Sequence, residues 1–72
     1  MDNFSKLAKN GILYVVDKFE GVVFKYTISE IEHTCEAKRS HEKPYSIDPK
    51  TNLAFEAMMS GDEITEEEYK KY

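Results

Sequence analysis

The chain has 72 residues, of which 14 are acidic and 10 basic, for a formal net charge of −4. A domain this small buries only about 60–65% of the surface its unfolded chain exposes, which leaves little depth for an enzyme pocket. The negative balance disfavours nucleic acid phosphates and anionic membrane surfaces, and it suits solubility and attraction to a basic protein surface.

Phe4, Leu7 and Ala8 share one face at helical spacing, so residues 3–10 read as a short helix. Asp2 or Asn3 caps its start, and Asn10-Gly11 stops it, because glycine tolerates the left-handed conformation that ends helices. The unbroken apolar run Ile12–Val16 reads as a first strand over 12–17, buried on both faces. Asp17 to Gly21 is a turn, and residues 22–28 return as the second strand of a hairpin. Ile31, His33, Cys35 and Ala37 then alternate with Glu30, Glu32, Thr34 and Glu36. This predicts a third antiparallel strand with a glutamate row on its outer face, and the parity slip after Ile28 places a bulge or tight turn at Ser29-Glu30.

Lys38 to Lys43 is a polar connection, and Tyr45-Ser46-Ile47 reads as a short edge strand. Asp48-Pro49 has the form of a helix start, with Asp as cap and Pro in the first turn. Leu53, Ala54, Ala57 and Met58 supply the apolar stripe of that helix, which ends at Ser60-Gly61. Thr65 followed three residues later by Glu68 matches a capping box, so residues 66–72 form a last helix. Its early glutamates and late lysines complement the helix dipole.

The expected fold is therefore α+β: a three- to four-stranded antiparallel sheet with a short N-terminal helix and C-terminal helices packed on one face. Residues 1–72 read as one domain, with 62–72 a loosely packed acidic helix. The expected core is Phe4, Leu7, Ile12, Tyr14, Val16, Phe24, Tyr26, Ile28, Leu53, Ala57 and Met58. A lone cysteine, Cys35, argues for a reducing compartment. The Met1-Asp2-Asn3-Phe4 start lacks a signal peptide's charged and apolar regions, and no apolar run nears the ~18 residues of a membrane span. The expected location is the cytoplasm, or the host cytosol for a phage or mobile-element gene, whose accessory proteins this small Lys/Glu-rich chain resembles in style.

Chemistry-bearing groups are few. His33, Cys35 and His41, completed by Glu36 or Glu42, lack the usual spacing of a zinc site, so no metal is expected. Cys35 has no glycine-rich turn or helix start beside it to stabilise an oxyanion, and it reads as an inert buried thiol. The glutamate runs are of the kind that solvent ordinarily covers, and the isolated glycines form no phosphate-binding loop. The chain thus reads as a non-enzyme without cofactor or catalytic residues.

Aromatic content is the better lead. Five tyrosines and four phenylalanines exceed what so small a core can hold, and tyrosine is enriched at interfaces. The leading expectation is a protein-binding module that modulates or inhibits a larger protein, one with a basic surface, through Phe19, Tyr45, Tyr69, Glu67 and Glu68. One alternative is a nucleotide- or small-molecule-binding homodimer or higher oligomer that uses Lys38, Arg39, His41 and Lys43 against an anionic ligand. Another is an acidic mimic of nucleic acid, which requires Glu30, Glu32, Glu36, Asp62, Glu63, Glu66, Glu67 and Glu68 to share one face.

Overall fold

The computed structural model describes residues 2–72. The order of elements is α1 (Asn3–Asn10), β1 (Ile12–Asp17), β2 (Val22–Ile28), β3 (His33–Arg39), β4 (Tyr45–Ile47), α2 (Asn52–Ser60), β5 (Asp62–Glu63) and α3 (Glu66–Lys71). The strands form one antiparallel sheet in the order β4-β3-β2-β1-β5. The α+β class and the antiparallel sheet match the expectation, with one strand more than the four foreseen. No helix among the described residues is long and apolar enough to cross a membrane.

Local chemistry sets most boundaries. The Asp2 carboxylate accepts from the Ser5 amide at 2.8 Å, and Gly11 closes α1 with φ 78°. Gly21 takes φ 68° at the end of the β1–β2 turn, where the Asp17 carboxylate accepts from the amides of Phe19 and Glu20. The slip after Ile28 is a turn: the Ser29 amide donates to the Glu32 carbonyl at 2.8 Å, and the Glu32 amide donates to the Ser29 hydroxyl. Ile31 therefore stands in this turn almost fully exposed and is not part of β3. The expected glutamate row reduces, on β3 itself, to Glu36. Asp48-Pro49 does not begin α2. The Asp48 carboxylate accepts from the Lys50 amide and its carbonyl from the Thr51 amide, which spends Asp48 on a tight turn; Thr51 caps the helix instead.

Cross-strand register decides which residues meet. Leu13 pairs with Tyr26, Tyr26 with Cys35, and Cys35 with Ile47; Val15, Phe24, Ala37 and Tyr45 form the next row. Both rows point to one face, because paired residues share a side of the sheet. Leu7 of α1 and Ala54, Ala57 and Met58 of α2 complete that core. Tyr14 and Val16 point the other way, where Val23 and α3's Tyr69 join them in a second cluster. Thus α1 and α2 cover one face and α3 the opposite one. Tyr14 and Val16 are in a core, but not the one that holds Phe24 and Tyr26. Phe4, Ile12 and Ile28, expected inside, are substantially exposed, and Leu13 and Val15 occupy the interior instead. The continuous apolar run of β1 is explained by these two covered faces.

Candidate protein-interaction surfaces

The first surface lies on the outer side of α1 and α2. Leu7 faces the sheet from α1, and Ala54, Ala57 and Met58 face it from α2. The helical period then turns Phe4, Phe55 and Met59 outward. The two phenyl rings touch across the helix pair, with centroids 6.1 Å apart. Phe4, Phe55 and Met59 remain 45%, 50% and 63% exposed. Together they present roughly 300 Å² of apolar side chain, within the size range of the functional patches of monomeric proteins. The helices are held in place by Asn3, whose side-chain amide donates to the carbonyls of Met58 and Gly61, both at 3.0 Å.

The second surface is a cleft of about 530 Å³ on the α3 face. Val16 and Val23 of the sheet line it with Ile64 and Tyr72, and its charged residues are Lys18, Asp62, Glu63 and Glu68. Main-chain bonds hold its walls: the Ile64 amide donates to the Tyr14 carbonyl at 2.9 Å, and the His41 amide donates to the Tyr72 carbonyl at 2.8 Å. Lys18 pairs with Asp62 at 3.4 Å and Lys6 with Glu63 at 2.8 Å. The Glu68 carboxylate accepts from the Thr65 amide at 3.0 Å while the Thr65 hydroxyl accepts from the Glu68 amide, as the capping box requires.

The five residues to which the sequence points do not converge. Phe19 stands at the tip of the β1–β2 turn, 95% exposed, next to Lys18 of the cleft. Glu68 lines the cleft and Glu67 is exposed beside it on α3. Tyr45 lies on β4, at the far edge of the sheet from β5, and is partly exposed on the α2 side. Tyr69 is only 6% exposed and belongs to the second core. Its ring packs on Tyr14 with centroids 5.2 Å apart, and its hydroxyl donates to the Glu36 carboxylate at 2.7 Å. Burial and then that bond to Glu36 push its phenol well above the usual tyrosine range.

The other chemistry-bearing groups are dispersed or engaged. Cys35 is buried, and desolvation followed by the Glu36 charge pushes its thiol up to about 12. Among the described residues no three His, Cys, Asp or Glu side chains converge to hold a metal. The Lys38 ammonium donates to the carbonyls of Tyr69 and Lys70, and Arg39 donates to the Glu20 carbonyl, so half of the basic loop cluster is used internally. Glu30 and Glu32 occupy the β2–β3 turn, whereas Asp62 lies beside Val16 near the other end of the hairpin, so these acids do not form one face.

Sequence patterning does not single out Phe4, Phe55 and Met59 as contacts. At helical spacing Phe4 counts equally well as core. The signal that could have flagged them is the surplus of apolar positions on α2, whose residues 53–55 and 57–59 are all apolar and cannot all face one sheet. No family model matches the chain, and no curated protein and no solved structure matches it either.

Proposed function

We propose that the chain is a non-enzymatic protein-binding module that modulates or inhibits a larger protein. The observation that carries this reading is the exposed Phe4–Phe55–Met59 face, where large apolar side chains lie outside both cores. A patch of this size, fixed on paired helices, is well suited to form the centre of an interface, where phenylalanine and methionine are enriched. Phe19 and Tyr45 serve as further apolar contacts, while Glu67 and Glu68 suit a partner with a basic surface. Tyr69 is buried on the opposite side of the sheet, where it anchors α3 and with it Glu67 and Glu68. The single buried thiol agrees with a cytosolic setting, in a cell or in the host of a phage that encodes the chain as an accessory protein.

The test is retention of a protein from cognate lysate on a tagged copy, at low and high salt, beside a Phe55→Ser/Met59→Ser variant. A specific protein kept at high salt and lost on the variant is the expected result. Retention that the variant leaves intact would remove the helix face from the function. A basic protein released at high salt from both forms would move the interface from the helix face to the acidic residues of α3.

A further inference from the structure

We infer that the cleft on the α3 face receives an arginine side chain from a basic segment of a partner protein. The inference extends the reading of the chain as a protein-binding module, but it concerns the face opposite the phenylalanine patch and stands on different observations. The cleft carries two carboxylates, Asp62 and Glu68, against one ammonium, Lys18, a balance of −1; Glu63 also borders it, but its position opposite Val15 turns its carboxylate to the other face, where Lys6 holds it. That field repels phosphate and draws cations. The partners of Asp62 and Glu68 leave capacity for a further donor. Lys18 and Asp62 are largely exposed and paired at 3.4 Å, a weak and exchangeable contact. Glu68 uses one oxygen for the Thr65 amide, and the other accepts no hydrogen bond among the described residues.

Beneath the charges, the partly exposed Ile64 offers an apolar bed over the buried Val16 and Val23. A long side chain lays its methylene stem along such a bed and keeps its charged head at the rim. Tyr72 adds an aromatic ring, which attracts a cation over its face. Stem, ring and carboxylates together favour arginine over lysine. The guanidinium is planar, stacks on aromatic rings, engages carboxylates through two parallel N–H groups and is less strongly hydrated than an ammonium. The cleft's 530 Å³ has room for one such side chain and its backbone neighbours.

The test uses the isotopically labelled chain and a blocked acetyl-Leu-Arg-Leu-amide peptide, with its neutral citrulline counterpart as control, followed through the protein's amide resonances. The expected result is saturable shifts at Val23, Ile64 and Tyr72 with the arginine peptide, and about tenfold weaker binding of the citrulline peptide. Glu68→Gln keeps an acceptor for the Thr65 amide, so the helix cap persists while the charge is lost; it is expected to weaken the arginine peptide several-fold in a protein whose spectrum remains folded. Equal binding of both peptides, shifts confined to the Phe4–Phe55–Met59 face, or no saturable shift at the cleft would each overturn the inference. Failure at the cleft leaves the helix-face reading standing, since the Phe55→Ser/Met59→Ser variant tests that separately.

Discussion

Tyr69 shows how a side chain can read as a ligand contact and serve as a structural tie. Its hydroxyl gives the Glu36 carboxylate a hydrogen bond across 33 residues of sequence, from α3 to β3. Tyr69→Phe removes the donor and leaves a half-buried carboxylate, which is expected to cost about 1–2 kcal/mol in urea unfolding. An unchanged midpoint would mean that water replaces the hydroxyl. Alkaline pH probes the same interior. The Cys35 thiol, ordinarily near 9.0, is pushed up to about 12 in the fold. Its proton therefore leaves the unfolded chain first, and stability present below pH 9.0 is lost as pH rises towards about 12. Burial raises Tyr26 and Tyr69 as well, so their contribution adds to the loss above the usual tyrosine value of 10.0. Unfolding midpoints should fall steadily above pH 9.0, and Cys35→Ala should reduce the early part of that fall. From sequence, the burial of Cys35 was legible in its alternation with Thr34 and Glu36 along the third strand. The burial of Tyr69 was not, because Glu66, Glu67, Glu68, Lys70 and Lys71 around it give the helix a solvated look while one residue alone faces the sheet.

At the scale of elements, the junction of α2 with β5 is the tightest point. A side-chain carbon added at Gly61 would collide with the Val15 side chain and stand 2.6 Å from the Ala57 carbonyl and 2.9 Å from that of Val16. Gly61→Ala is expected to destabilise by about 2–3 kcal/mol, measured by chemical denaturation, since backbone on two sides must move. Thr65→Ala, by contrast, removes one cap and should cost about 1 kcal/mol. The limits of α1, β1, β2 and β4 were legible because each rests on local chemistry: a cap, a glycine turn or an apolar run. Two features escaped for lack of a local signal. β5 has two charged residues and exists only because Asp62 and Glu63 pair with β1. The start of α2 moved because Asp48 can cap a helix or close a turn, and which it does depends on where β4 leaves the chain.

For the molecule as a whole, the sheet separates two unequal cores. The larger lies under α1 and α2 and the smaller under α3. Leu13→Ala, within the larger, should cost about 2–5 kcal/mol and leave a chain of this length barely folded. Phe55→Ser/Met59→Ser should shift the thermal midpoint far less, because both side chains already meet solvent; a comparable loss would identify the helix face as structural. The α+β class and the antiparallel sheet could be read from alternation. The assignment of faces could not, since β1 is apolar on both sides and only the Leu13–Tyr26 and Val15–Phe24 register says which side is which. The Asn3 clamp has a consequence for the order of folding. The carbonyls that receive its amide belong to Met58 and Gly61, more than fifty residues along the chain, whereas Leu7 of the same helix packs on the nearby β1–β2 hairpin. Contacts of short sequence separation form before distant ones reward the loop they close; α1 can therefore lie down on the hairpin early, and its clamp closes only when α2 arrives.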